Sequence, residues 1–537
     1  MSDLDAAIQS RLGAWTADRV AERLWAKDGS LWAASGKAPE EISAWLGWLD
    51  LPEVMRERVA ELEHLARDVR EDGYRRAAVL GMGGSSLAPE LFSRVFGWAG
   101  GDAGSGAASA GALELRVLDS THPDAVRGFR SWASEQRTLF LVSSKSGSTA
   151  EPNAFQAAMG EIAPALDFIA ITDPDTPLAE LARAQEFRAI VTAPPDVGGR
   201  YSALTVFGLV PAALHGVDLG GLLDRARQMA GACRTPDAQA NPGLRLGALL
   251  GEAALAGRDK LTLLTGEHLA AFGDWAEQLV AESTGKAGKG IVPIVGEPLR
   301  EPDAYADDRV FVRVRLAGEH EPELEGLADA LEGLGHPVER LELADPLDVG
   351  AEFLRWEVAT AAAGIALGID PFDQPNVQES KDATTELLAA YRTRGALPEP
   401  LPLVSEIGVA ITADPASLGD GPVSVDGALE QLFGLARPGI DYVAILAYLP
   451  KDSPIEARLQ AIRSGIGAAT GAATTLGFGP RFLHSTGQLH KGGPDTGVFL
   501  QITADPSKDL PIPTGKLQDE VFPTANDVEQ AVRAIMQ

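Results

Sequence analysis

A single cysteine, Cys233, stands in 537 residues. The chain can therefore form no internal disulfide and no cysteine-rich zinc site, and a reduced, cytoplasmic setting is expected. Positive charge is also short: 46 lysines and arginines against 76 aspartates and glutamates leave a net charge of −30. A surface of that sign repels nucleic acid and anionic membrane, so neither is expected as a partner. Any phosphate-bearing ligand must instead be held by a local site of backbone amides and a few chosen cations. Long hydrophobic runs are missing too. The longest nearly uninterrupted small-apolar stretch, Ala359 to Ile369, falls well short of the ~18 to 20 residues that span a bilayer. The acidic, polar start MSDLDAAIQS has no basic segment leading into an apolar one, so no signal peptide is evident. No P-loop and no Gly-x-Ser-x-Gly nucleophile elbow is found. Histidines number only eight, and no paired Asp, Glu or Cys cluster accompanies them, so no metal is expected.

What remains is ordinary globular material, 45% hydrophobic and 23% charged. The length corresponds to three or four folding units at roughly 150 residues each. The first ~75 residues read as amphipathic helix by their hydrophobic period. Five of the nine tryptophans, Trp15, Trp25, Trp32, Trp45 and Trp48, lie there and are expected to pack the segment onto the body. From about Arg76 short apolar runs alternate with helical stretches. Strands are expected at Ala77–Gly81, Leu113–Leu118, Thr138–Ser143, Phe168–Thr172 and Phe187–Val191, then at Lys260–Leu264, Gly290–Ile294, Val310–Val314 and Val338–Leu341. The Gly/Ala-rich Gly100–Gly111 reads as a loop insertion. Strand, helix, strand at this spacing is the signature of parallel α/β units. After the Pro-rich boundary Leu397–Pro402 come strands at Tyr442–Leu449 and Val498–Thr503 around a helix at Ile455–Ala469. The expected fold class is α/β: a helical extension over 1–75, parallel-sheet modules over 76–235 and 236–397, and a smaller α/β module over 398–537.

Six segments can carry chemistry. Gly81-Met82-Gly83-Gly84-Ser85-Ser86 joins a strand to a helix, where free N–H groups favour an anion; alone it can equally be a tight turn. Ser143-Ser144-Lys145-Ser146-Gly147-Ser148-Thr149 packs hydroxyls, amides and one cation at another strand end, and alone is a capped turn. Two such loops in consecutive units lie at one sheet edge, where open α/β folds bind ligands, and together favour a phosphate site. Gly198-Gly199-Arg200-Tyr201-Ser202 would send an arginine into a cleft. Gln278 and Glu282 share one face of a helix that Gly285 ends, and Glu282 there could serve as a general base or be merely solvated. Gln374 and Lys381 share a face once a helix starts at Pro375. His484, His490 and Lys491 fall in the Gly-flanked LHSTGQLHKGG.

Taken in order, GMGGSS, SSKSGST, GGRYS, ESTGK and FDQPNVQESK resemble the signature segments of the phosphoglucose isomerases, a family with two sugar-isomerase (SIS) α/β domains. The resemblance runs from about Ala77 to Lys381, and the C-terminal block resembles the isomerase half of fused transaldolase–phosphoglucose isomerases. It implies an enzyme that interconverts glucose 6-phosphate and fructose 6-phosphate, a step of glycolysis and gluconeogenesis, without cofactor or metal. By the resemblance, Gly84, Ser85, Ser144, Lys145, Ser146 and Thr149 hold the sugar phosphate, and Gln278 and Gln374 line the pocket. Glu282 moves a proton between C1 and C2, Arg200 stabilises the enediol(ate), and Lys381 with a histidine opens the sugar ring. It also implies a homodimer with the site near the subunit interface.

One departure stands out. The family's histidine lies between its Glu and Lys motifs, and here that interval holds only His320 and His336, neither in a matching context. LHSTGQ resembles a histidine segment of some bacterial members, so His484 is expected to open the ring, from its own chain or a partner's, with His490 or Lys491 as the alternative. Two other functions stay open: a SIS-domain regulator that binds sugar phosphates without turnover, and an isomerase that also accepts mannose 6-phosphate.

Overall fold

The computed structural model describes residues 3–97, 112–376, 401–406, 408–414, 421–506 and 508–513, with Glu386, Ala389 and Thr393. The expected loop at Gly100–Gly111 lies outside the described residues. Five parallel strands form the first sheet: β1 (Arg76–Gly81), β2 (Glu114–Leu118), β3 (Thr138–Ser143), β4 (Phe168–Thr172) and β5 (Ala189–Thr192), in the order β2-β1-β3-β4-β5. Every residue of β1, β3 and β4 is buried. That is why they read as continuous apolar runs, since helices cover both faces of a parallel sheet. The chain winds outward from β1 to β2 and then returns past β1 to β3, so the winding reverses between β1 and β3. Loops leaving the C-terminal ends of such a strand pair border a crevice.

The second sheet is parallel as well, β7 (Val292–Val295), β6 (Lys260–Thr265), β8 (Arg309–Leu316) and β9 (Val338–Leu343) side by side in that order. A short antiparallel hairpin, β10 (Val404–Glu406) and β11 (Val409–Ile411), precedes a third parallel sheet in which β12 (Tyr442–Tyr448) lies between β13 (Ala473–Phe478) and β14 (Gly497–Thr503). The sequence reading misses β13, because ATTLGF is rich in Thr and Gly and lacks a clear apolar run. Among the described residues no helix is long and apolar enough to cross a membrane.

The N-terminal segment is a series of helices, Asp3–Ala17, Val20–Trp25, Pro39–Ser43 and Leu51–Glu71, rather than one. Arg19 in the left-handed region breaks the first pair, and prolines open the last two. Trp15, Trp32 and Trp48 are buried in one continuous core with Ile169 of β4, Val312 of β8 and Phe353, so the segment is part of the body. Trp45 departs from the expected packing: it is exposed, with the Lys145 ammonium 5.8 Å from its ring centre. Helix Pro242–Leu255 lies close against helix Val349–Leu367. A Cβ on Gly247 would sit 2.6 Å from the Ala359 carbonyl oxygen, so only glycine permits that approach.

One face of the third sheet packs Tyr442, Ala444 and Leu446 onto Ala281, Val292 and Ile294 of the body. Its other face is covered by Leu459 and Ile466 of helix Ser453–Thr470. That helix is pinned by Arg463, whose buried guanidinium donates to the Val295 and Gly296 carbonyls at 3.0 and 2.8 Å.

Candidate active site

Loops from all three sheets meet at the C-terminal edge of the first. The turn after β1 holds Gly83 at φ +54°, and the next residue, Gly84, lies so close to the following loop that a Cβ would meet the Gly199 carbonyl at 1.9 Å. Glycine is therefore required there by contact between two backbones. Ser85 and Ser86 are buried at the same turn. After β3, Ser144 Oγ donates to Thr149 Oγ1 at 3.0 Å, and Ser146 and Ser148 hydroxyls lie 3.0 Å apart. Thr149 is the N-cap of helix Ala150–Gly160, whose first-turn amides face this loop and make it a natural anion seat. Lys145 belongs to the loop but turns outward. Its ammonium is paired with Asp173 and donates to the Pro195 carbonyl at 3.1 Å.

Glu282 stands near the end of helix Ala270–Thr284, its side chain 14% exposed. Arg200 Nη1 lies 3.0 Å from one of its carboxylate oxygens, and Gln278 Nε2 donates to the other at 3.1 Å. The arginine is fixed by more than its charge. It donates to Ser283 Oγ at 2.8 Å, Gln374 Oε1 at 2.9 Å, and the Pro371 and Asp373 carbonyls at 2.7 and 2.9 Å. A guanidinium held by four neutral acceptors keeps its remaining attraction for charge that develops beside Glu282. Lys286, buried behind it, holds the same 371–374 turn by donating to the Asp373 carbonyl at 2.5 Å and its carboxylate at 2.8 Å. Burial and the neighbouring Arg200 charge push the Lys286 pKa down to about 8, against the pull of Asp373.

His484 arrives from the loop after β13. Gln278 Nε2 donates to its carbonyl at 2.8 Å, and its Nε2 lies 2.8 Å from Glu151 Oε1. Burial disfavours the imidazolium, but the charge and hydrogen bond of Glu151, with Glu282 and Asp119 behind them, outweigh it and raise the pKa. Glu151 is likewise buried, which would raise its own pKa, and His484 overturns this so that it lies below the ordinary value. His490 does not join them. It stacks among Tyr442, Phe482 and Phe499, and burial, with Lys491 adjoining, drives its pKa down to about 3. Lys381 lies outside the described residues.

The structure thus brings Gly84, Ser85, Ser144, Ser146, Thr149, Arg200, Gln278, Glu282, Gln374 and His484 around one crevice. Ser143 Oγ and Gln278 Oε1 are buried there without a hydrogen-bond partner among the described residues. Sequence reasoning does not single out Glu151, and takes Ser283 and Lys286 only as parts of the ESTGK motif. Their signal, position beside the candidate base or beside the hydroxyl loop, has meaning only once β3, helix Ala270–Thr284 and the 371–374 turn are placed together. Among the described residues, no group of three or more His, Cys, Asp or Glu side chains could hold a metal ion.

No family model matches the sequence. A glucose-6-phosphate isomerase of Rubrobacter xylanophilus is 30% identical over 417 residues, covering 65% of this chain and 93% of that protein. The chain belongs to the glucose-6-phosphate isomerase family. A second isomerase of that name, from Carboxydothermus hydrogenoformans, is 28% identical, covering 64% of this chain and 85% of that protein. Among solved structures, a hypothetical protein of Thermus thermophilus superposes with a TM-score of 0.58 at 25% identity, covering 72% of this chain and 98% of its own. A glucose-6-phosphate isomerase from Chlamydia trachomatis shares the fold at 17% identity and a TM-score of 0.56, covering 73% of this chain and 87% of its own.

Proposed function

We propose that the protein interconverts glucose 6-phosphate and fructose 6-phosphate by proton transfer between C1 and C2. Family membership supports the reaction. The single observation that carries the residue assignments is the ion pair between Arg200 and Glu282, tied through Gln278 to His484. The phosphate sits at the Gly84–Ser85 turn and the Ser144, Ser146 and Thr149 loop, where backbone amides supply the attraction that an acidic protein otherwise lacks. Lys145 serves this loop through its backbone, because its ammonium is taken up by Asp173. His484, whose charged form Glu151 favours, gives a proton to the ring oxygen while the anomeric hydroxyl loses one, with Lys381 assisting, and the ring opens. Glu282 then takes the proton from C2 of the aldose. The negative charge that gathers on the C1 carbonyl oxygen is met by Arg200, a proton passes from the C2 hydroxyl to that oxygen, and Glu282 returns its proton at C1 to give the ketose. C1 is reduced as C2 is oxidised, so the exchange is internal and no atom is gained or lost.

We further read the protein as cytoplasmic and homodimeric, with units at 1–75, 76–235, 236–397 and 398–537. Fructose 6-phosphate in deuterated water, with and without a chelator, tests the function. Chelator-insensitive formation of glucose 6-phosphate with deuterium at C2 is expected, and mannose 6-phosphate in the mixture would mark a broader specificity. Saturable binding without turnover would make the protein a sugar-phosphate-binding regulator.

A further inference from the structure

We propose that Arg481 is a positioning residue for ring opening, holding the turn that presents His484 to the site. This rests on the isomerase reading above. His484 ends a short turn, Arg481–His484, closed within itself by Leu483 N donating to Pro480 and by Ser485 N and Thr486 N donating to Phe482. Its side chains tie it to the body. The Arg481 guanidinium pairs with Glu90 of helix Leu87–Val95, with Asp119 just past β2 at 3.0 Å, and with Asp274 of helix Ala270–Thr284 at 3.0 Å. Lys451 stands 3.6 Å from Glu90 on the far side.

Three carboxylates from three separate elements converge on one cation that is itself largely buried, with 11% of its side chain exposed. A planar fork spreads five N–H donors over three nitrogens and so reaches three separated carboxylates, whereas an ammonium offers three donors from a single nitrogen. The elements are not arbitrary. Helix Leu87–Val95 follows directly from the Gly84–Ser85 turn, and helix Ala270–Thr284 carries Glu282 eight residues beyond Asp274, about 12 Å along its axis. Ser485 Oγ, donating to Glu277 at 3.1 Å, and Gln278, donating to the His484 carbonyl, complete the seam between that helix and the turn. The imidazole is thereby set at fixed distances from both the phosphate loop and the base. No hydrogen bond or ion pair found for Arg481 among the described residues goes to Glu282, Arg200 or Glu151. Its loss should disturb the ring-opening group and leave the proton-transfer pair in place.

Two sugars separate these steps. Fructose 6-phosphate must be opened, whereas 5-deoxyfructose 6-phosphate, lacking the hydroxyl that closes the ring, is always open. In Arg481→Gln we expect turnover of fructose 6-phosphate to fall about a hundredfold, as a 1 Å misplacement brings. Turnover of the open sugar should stay within a few-fold of wild type, and Arg481→Lys should recover part of the loss. With 13C-labelled histidine, the His484 titration should shift in Arg481→Gln, because the ring leaves Glu151 and Asp119 loses its Arg481 partner. Equal losses on both sugars, or an unmoved rate and His484 titration, would overturn the proposal. Should Arg481→Gln not fold, Asp274→Asn removes the most exposed of the three partners and should show the same selectivity at smaller size. An Asp274→Asn protein that loses both activities equally, or neither, overturns it as well. A wild type silent on both sugars would instead refute the isomerase reading, and the His484 titration would still decide whether Arg481 places the imidazole.

Discussion

Glu282 has an arginine on one oxygen and an amide on the other, and together they fix the direction of its carboxylate. Glu282→Gln keeps the shape and removes the base. Isomerisation should fall by the ~10² to 10⁴ that a positioned base contributes, while fructose 6-phosphate binding, read by calorimetry, stays within a few-fold. Near-normal turnover would take the role from Glu282. The His484–Glu151 pair has its own pH signature. Glu151 lies below its ordinary pKa and is ionised through the neutral range, and His484 lies above its own. A raised histidine contributes stability that is fully present below the unfolded value of about 6.5 and is lost as pH rises through the folded one. The melting-temperature gap between wild type and His484→Gln should therefore be widest near pH 6 and close in alkali. A gap that widens with rising pH would mean that the imidazole is not held as the charged form.

Elements meet here through backbone, and that limits what they tolerate. Gly84→Ala would drive a methyl group into the Gly199 carbonyl, and neither partner is the far end of a flexible side chain. One loop must move, so the KM for fructose 6-phosphate should rise at least tenfold; an unchanged KM would mean that the two loops do not jointly form the phosphate seat. The 371–374 turn depends on Lys286 in a different way, since loss of its proton near pH 8 weakens its hold on Asp373 and so on Arg200. An alkaline limb in kcat should begin near that pH and move upward in Lys286→Arg. An identical limb in both proteins would assign it to another group. These contacts mark what could and could not be read from sequence. Strands β1, β3, β4 and β6 were legible because residues buried on both faces leave nearly unbroken apolar runs, and the phosphate loops because Gly and Ser cluster at strand ends. The turn that carries His484 was not, because it depends on distant partners, Asp274 lying 207 residues from Arg481. Glu151 belongs with it, for an acidic residue in a first helical turn is ordinary until a histidine 333 residues away is laid against it.

Whether the third sheet moves with the body is decided by one buried carboxylate. Glu297, 2% exposed, follows β7 and takes Arg309 at 2.9 Å, Arg300 at 2.8 Å and the Thr474 amide of β13 at 2.9 Å. Burial opposes its charge, and Arg309, Arg300 and Arg463 outweigh that and hold its pKa below the ordinary value. Arg463 comes from the helix covering the third sheet's outer face, so Glu297, like the Arg481 cluster, is a place where body and third sheet share charge. Removing one partner of a buried set strands the others, at a cost of ~3 to 5 kcal/mol. Apolar contact across the joint, Tyr442, Ala444 and Leu446 on Val292 and Ile294, remains. Glu297→Gln should therefore loosen the joint without dissolving either side. Hydrogen exchange should quicken in β12 and β13 while β1 and β3 keep their protection, because the body's core runs from Trp15 to Phe353 without the third sheet. Fructose 6-phosphate turnover should fall in parallel, since His484 travels with β13. If β1 and β12 lost protection together, body and third sheet would be one cooperative unit, and Glu297 would be an internal support rather than the joint between them.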